Sequence, residues 1–301
     1  MMLAPLFQLG NLIIRALPPW LRYRVASVTG RAAFYLMPRR RRIAYENYGQ
    51  VLGLPWNDPR TKRTARQAFA NYGKMVCDFI LMASLTPAQI RAMVRPSGAE
   101  ILDRALAQGK GVIVVTAHFA NWDILAAAAA VYGYAVNAVT NEVRGGLNRL
   151  VIRSRERIGM RMIPVGSSSA RGILRALQRN EVVALVCDLY RGENGVPVEF
   201  FDRPTILPSG PAALALKTGA PIVPVWVQRQ ADNRYVARVE NPLEVAKTGN
   251  PAADVEATTN RIAAFFERII RQQPDQWFVF LPLWRSAKLD GSAMQAALGP
   301  S

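Results

Sequence analysis

From about residue 98 the chain alternates short, continuous apolar runs with stretches at helical spacing. The runs are 111–116 (GVIVVT), 134–139, Met162 to Val165, Val182 to Cys187, 196–201 (VPVEFF) and 221–227 (PIVPVWV). Helical patterns fall between and after them, at 98–108, 121–132, 146–159, 169–179, 210–218 and 255–272, and an edge strand is expected near 234–240. Strands that are apolar throughout and separated by amphipathic helices form a largely parallel sheet covered on both faces. The expected fold class is therefore α/β, with a mostly parallel central sheet flanked by helices.

Up to about residue 95 the pattern is helical instead. Asp58 to Leu85 repeats apolar residues near helical spacing (Phe69, Tyr72, Met75, Val76, Phe79, Ile80), and Thr86-Pro87 has the form of an N-cap and first helical residue. The expected organisation is an N-terminal helical region over 1–95, an α/β core over 96–290 and a frayed tail over 291–301. With 301 residues, half of them apolar and 20% charged, the chain has enough core for this and is not disordered.

Charge is the next constraint. The chain carries 38 Lys and Arg against 21 Asp and Glu, a formal +17, which points to a polyanionic partner. The first 75 residues hold 13 basic residues and only two acids, Glu46 and Asp58. Leu3 to Leu17 is apolar but interrupted by Gln8, Asn11 and Arg15, and is shorter than the roughly 20 residues a spanning helix needs. It suits a helix lying in a membrane interface, with Trp20 and Tyr23 at headgroup level. Arg39, Arg40, Arg41 and Arg42 follow a second apolar stretch, Val25 to Met37, and fit an anionic bilayer surface. Neither a nucleic-acid motif nor an aromatic stacking platform is visible, so no nucleic-acid partner is expected. Cys77 and Cys187 lie far apart beside apolar residues, which fits reduced core thiols.

The chain contains one histidine, His118, at the end of the run GVIVVT-AH, and Asp123 follows five residues later. In α/β folds, functional residues collect at the carboxyl ends of strands. On one continuous helix the two side chains would point about 140° apart. With His118 on the turn, Asn121 as N-cap and Asp123 in the first helical turn, the chain can fold back so that carboxylate meets imidazole. An imidazole held by a carboxylate is a general base. GSSSA at 166–170 resembles half of a nucleophile elbow, but Ala170 stands where the second glycine belongs, so a polar loop capping the next helix is the plainer reading. A base without a protein nucleophile acts on a hydroxyl of the substrate. One histidine and two distant cysteines offer no metal-ligand set, and no GxGxxG is present, so neither metal nor dinucleotide cofactor is expected.

The segment His118-Phe-Ala-Asn-Trp-Asp123 after an apolar strand resembles the H-x4-D motif of the lysophospholipid acyltransferase superfamily. More closely, the chain is similar to its lipid A late acyltransferase (lauroyl/myristoyl) and phosphatidylinositol mannoside acyltransferase branch. Further matching segments are Arg42-Ile-Ala-Tyr-Glu-Asn47, Asn141-Glu-Val-Arg144 with Arg153, Arg157 and Gly159, Val182 to Asp188, Val196 to Phe201, Pro208-Ser-Gly210, Thr218 to Pro224, and Pro274-Asp-Gln-Trp277 with Trp284-Arg285. In this order they are specific. Two departures stand out: Ala120 occupies a position where Gly is common, and Phe278 to Leu283 is apolar where the branch carries basic residues.

The resemblance implies transfer of a fatty acyl group from acyl-ACP or acyl-CoA to a hydroxyl of a membrane glycolipid or lipid A-type acceptor, at the cytoplasmic face of the inner membrane. It implies His118 as base, Asp123 as its orienting acid and Glu199 as a supporting glutamate. Asn121, Asn141, Arg144, Asp188 and Arg191 become candidates for substrate binding, with Asp188 and Arg191 free either to hold an anionic head group or to pair with each other. The arginines of 146–159 suit phosphate or a solvated face equally. Ala126 to Ala130 and Phe69 to Ile80 suit core or an acyl-chain groove. Two rival classes remain: a basic membrane-binding protein without catalysis, and a lipid hydrolase using water as acceptor.

Overall fold

The computed structural model describes residues 3–140, 146–166, 168–190 and 195–284. Five helices come first: α1 Leu3–Ala16, α2 Pro19–Leu36, α3 Pro38–Leu52, α4 Pro59–Met82 and α5 Pro87–Met93. Four of them, α2 to α5, begin with proline, whose fixed φ and missing N–H suit a first helical turn. Thr86 caps α5 in a reciprocal capping box with Gln89, and Asp58 caps α4 through the Arg60 N–H. Two glycines let α2 and α4 pack backbone to backbone. A Cβ on Gly30 would lie 2.2 Å from the Phe69 carbonyl oxygen, and one on Gly73 2.1 Å from that of Ala26. Among the described residues no helix is long and apolar enough to cross a membrane.

The remainder alternates as expected: β1 Val94–Ser97, α6 Ala99–Leu106, β2 Val112–Thr116, α7 Trp122–Val131, β3 Val136–Thr140, α8 Gly146–Arg157, β4 Arg161–Pro164, α9 Ser169–Gln178, β5 Val182–Val186, β6 Gly195–Glu199, β7 Pro204–Pro208, α10 Gly210–Thr218, β8 Ile222–Arg229, β9 Tyr235–Val239 and α11 Pro251–Gln272. The main sheet runs β1-β9-β8-β2-β5-β3-β4. Every neighbour pair is parallel except β8 with β9. β2 lies at its centre and is buried along its whole length, as a strand covered on both faces must be.

Three details differ from the sequence expectation. Tyr235–Val239 is not the edge, because β1 pairs outside it. β1 itself, VRPS, is four residues with a proline and three exposed positions, the composition an outer strand tolerates. The run at 196–201 does not enter the main sheet. It forms an antiparallel hairpin with β7, which begins and ends in proline and packs with β6 against α11.

Buried apolar side chains form one continuous cluster from Ala26 in α2 to Trp284, through all the main-sheet layers. Helix α3 reaches across the molecule to the extended segment after α11. The Asn47 amide donates to the carbonyls of Val279 (2.8 Å) and Leu281 (2.9 Å), and the Arg40 guanidinium donates to that of Phe280 (3.0 Å). Phe280 packs between Phe69 and Tyr72, so the apolar run after Trp277 is core.

Candidate active site

β2 and β5 lie side by side in parallel, with Thr116 opposite Val186. Two residues past each strand end stand His118 and Asp188, so the register itself brings them together. The Asp188 carboxylate accepts from the His118 backbone N–H at 3.0 Å through Oδ2, and its Oδ1 lies 2.6 Å from His118 Nδ1. The Trp277 indole N–H donates to Oδ2 at 2.8 Å. Asp188 is fully buried. Burial pushes its carboxyl up, but the His118 charge and hydrogen bond, the Trp277 N–H and the His118 backbone N–H outweigh it and hold the group below the usual carboxylate value. The His118 side chain is 25% exposed, and Asp188 engages its Nδ1, so Nε2 is the ring nitrogen outside that contact.

Asp123 goes elsewhere. Asn121 caps α7 by accepting the Ile124 N–H at 3.0 Å, which fixes the helix axis, and Trp122 sets its ring edge-on to the imidazole at 4.9 Å. That turn directs Asp123 toward α8, where it pairs with Arg155 at 2.5 Å. Both members are nearly buried, at 9% and 13% side-chain exposure, and Arg155 Nε has no partner among the described residues. The sequence reading set Asp123 against the imidazole; in the structure the carboxylate within hydrogen-bond distance of the ring is that of Asp188, and Asp123 faces Arg155.

Beside the dyad an apolar cavity of about 240 Å³ opens between α7 and the sheet. Its lining includes Thr116, Trp122, Asp123 and Arg155, together with Ala126, Ala128 and Ala129 of α7. Three of the five alanines of the run 126–130 thus face the cavity, while Ala127 is fully buried in the core. The stretch Phe69–Ile80 is mixed: Phe69 packs against Phe34 and Phe280 in the core, while Phe79 lies under the Arg155 guanidinium. Among the described residues no cluster of three His, Cys, Asp or Glu side chains forms a metal-ligating group.

The bacterial lipid A biosynthesis acyltransferase family model matches residues 3–286. The chain belongs to that family. Similar curated proteins are the phosphatidylinositol mannoside acyltransferases of Mycobacterium tuberculosis (strains CDC 1551 / Oshkosh and ATCC 25618 / H37Rv), 28% identical over 193 residues, and of Mycolicibacterium smegmatis, 25% identical over 242 residues. The first two matches cover 62% of this chain and 58% of the relative, and the third covers 79% and 77%.

In this member of the acyltransferase family, the other expected site residues fall as follows. Asn121 is buried, its side-chain carbonyl caps α7, and its amide donates to the Tyr235 hydroxyl at 3.4 Å. Glu199 ends β6 with an exposed side chain, opposite Pro204 in the hairpin, and makes no hydrogen bond to His118 among the described residues; strand alternation turns its neighbours Val198 and Phe200 inward instead. Asn141, Arg144 and Arg191 lie outside the described residues. Trp20 is 67% exposed. Of the tetra-arginine, Arg39 and Arg42 are exposed, Arg42 pairing with Glu46, whereas Arg40 holds the Phe280 carbonyl and Arg41 lies over the Phe34 ring. In α8, Arg153 is exposed, but Arg157 donates to the carbonyls of Met82, the last residue of α4, and Leu85 just after it. The Ser169 hydroxyl donates to the Gly166 carbonyl, a loop-capping contact. Both cysteines are free and buried.

Ala120 adopts φ +49°, the left-handed region that glycine enters freely and other residues enter at a cost. The turn between His118 and Asn121 requires it. Ala120→Gly is expected to leave thermal stability nearly unchanged, because relief of strain offsets the lost methyl burial. Ala120→Val is expected to cost about 2 kcal/mol or more, read as a lowered melting temperature.

Proposed function

We propose that the protein transfers a fatty acyl group from an acyl thioester, acyl-ACP or acyl-CoA, to a hydroxyl of a glycolipid or lipid A-type acceptor at a membrane surface. The observation that carries this reading is the His118–Asp188 pair, its imidazole partly exposed, beside an apolar cavity whose lining includes Thr116, Trp122 and Val186, near neighbours of the pair in the chain. His118 Nε2 takes the proton of the acceptor hydroxyl, and Asp188, on the other ring nitrogen, stabilises the imidazolium that forms. The acceptor oxygen attacks the thioester carbonyl, the tetrahedral intermediate expels the thiolate, and the imidazolium returns the proton to that sulfur. The products are an ester and a free thiol, and His118 ends as it began.

The cavity suits the acyl chain. It follows β5 from Val186 to Val182, about 13 Å at ~3.3 Å per strand residue. Three extended single bonds span ~3.3–3.6 Å, so roughly a dozen chain carbons fit along that path. Docking on an anionic bilayer at the cytoplasmic face of the inner membrane is the role we assign to the N-terminal helices. Leu9, Leu12 and Ile13 of α1 and Trp20, Val28 and Leu36 of α2 are exposed apolar side chains, and Arg39 and Arg42 extend the basic edge. The same basic surface suits an acidic carrier protein or the phosphates of CoA.

The test is lipid analysis of a deletion strain complemented with wild type or with His118→Ala. One acylated glycolipid or phospholipid species is expected to be missing from the deletion strain and restored by wild type alone. Restoration by His118→Ala would overturn the assignment of the base. Free fatty acid as the dominant product, with lipid acceptors present, would turn the reading to a hydrolase.

A further inference from the structure

Asp188 accepts three hydrogen bonds, and two come from His118 itself, through its backbone N–H and its ring. A carboxylate and imidazole joined only to each other still pivot together relative to the substrate. Among the described residues, the one donor to Asp188 from outside the pair is the Trp277 indole. The surroundings of Trp277 hold that donor in place. It is fully buried, its ring stands edge-on to Tyr48 at 6.4 Å, and its carbonyl accepts the Tyr48 hydroxyl. The residues on either side of it bond to the main chain on either side of Phe119. The Gln276 carbonyl accepts the Ala120 N–H and the Phe278 N–H donates to the His118 carbonyl, both at 2.7 Å. Gln276 is fixed in turn by two bonds of its amide to the Arg229 backbone, at 2.9 and 3.0 Å.

We propose that Trp277 is a positioning residue: its indole N–H fixes the orientation of the Asp188 carboxylate and, through it, that of the His118 ring. The turn carrying His118 and the carboxylate that orients it are then located by one short segment, which helix α3 clamps through Tyr48 and Asn47. A phenylalanine at 277 would fill much of the same space. Only the N–H addresses Asp188, and a buried carboxylate that loses a donor turns to find another.

This inference rests on His118 being the base, and the experiment separates the two. His118 is the only histidine, so the ring resonances of ¹⁵N-histidine-labelled protein report on it alone. In wild type the Nδ1 proton is expected far downfield and slow to exchange. Trp277→Phe, and benzothienylalanine placed at 277 to keep the ring shape without the N–H, are both expected to broaden that resonance. Both are also expected to lower kcat by about 10- to 100-fold, the range for a lost hydrogen bond to a charged group, with KM unchanged. Wild-type kcat with benzothienylalanine at 277 would overturn the proposal whatever Trp277→Phe does, since the loss in the latter would then be one of packing. A reduced kcat with an unaltered Nδ1 resonance would overturn it equally. If His118→Ala keeps its activity, the base assignment fails, while the resonance still judges whether the indole orients the ring.

Discussion

Asp188→Asn is expected to lower kcat by about 10³- to 10⁴-fold while leaving the fold intact, the scale seen when the acid behind a catalytic histidine becomes an amide. The local donors dictate the reason. Oδ2 of Asp188 accepts two N–H groups, from the His118 backbone and the Trp277 indole. An asparagine must therefore keep its carbonyl oxygen at that position. Its NH₂ is then forced into the place of Oδ1, 2.6 Å from His118 Nδ1. Nδ1 becomes the acceptor and Nε2 carries the proton, so the ring presents the wrong tautomer to an acceptor hydroxyl. Asp123→Asn removes the charge facing Arg155 and should act mainly through stability and the docking of α8. Steady-state acyl transfer together with thermal melts on both variants decides the matter. A nearly inactive Asp123→Asn beside a nearly active Asp188→Asn would return the orienting role to Asp123.

That contrast marks the boundary of what the sequence discloses. The alternation of apolar runs and helices was legible because each strand of the parallel sheet is buried on both faces and each helix on one, so periodicity records the layers. His118 was legible as a unique residue at a strand end. Its partner was not, because β5 follows β3 and β4 in the chain yet inserts between β2 and β3 in the sheet. Asp123 was five residues away and Asp188 seventy, and the nearer carboxylate was the natural choice. The cap at Asn121 sets the heading of α7 and turns Asp123 toward Arg155. β1 and β7 escaped for a related reason: both are short and proline-bearing, so they lack the continuous apolar run that marked the others. The segments Arg42–Asn47 and Pro274–Trp277 are visible in the sequence as motifs. That their ends meet, with Tyr48 bonding to Trp277 and Asn47 to Val279, is a fact of tertiary packing over more than 200 residues of chain.

Asp78→Ala is expected to destabilise the protein by about 3–5 kcal/mol, the cost of leaving one member of a buried ion pair without its partner. Asp78 is fully inaccessible and Arg229 nearly so, at 6% side-chain exposure. The carboxylate accepts the Arg229 guanidinium, the Tyr235 hydroxyl at 2.5 Å and the Tyr23 hydroxyl at 2.7 Å. Burial alone would lower the Arg229 pKa, but Tyr235 and Asp78 outweigh it and raise it above its ordinary value. Removing Asp78 takes that support away, and because arginine is not deprotonated in proteins the charge stays without its partner. The stacking of that guanidinium over the Tyr23 and Tyr235 rings, at 5.3 and 4.5 Å, cannot replace a carboxylate. At ~2–4 °C per kcal/mol for a protein of this size, the melting temperature should fall by roughly 6–20 °C. The double change Asp78→Leu with Arg229→Met should lose much less, because an apolar pair removes both desolvation penalties at once. A melt within a degree or two of wild type for Asp78→Ala would show that Arg229 finds solvent or another acceptor. The location gives the cluster its consequence: Tyr23 belongs to α2, Asp78 to α4, Arg229 to β8 and Tyr235 to β9, and Tyr235 also takes the amide of Asn121. The helices assigned to the bilayer and the turn that carries His118 therefore share one buried charge, and loosening it should make the site open at temperatures where the sheet still holds.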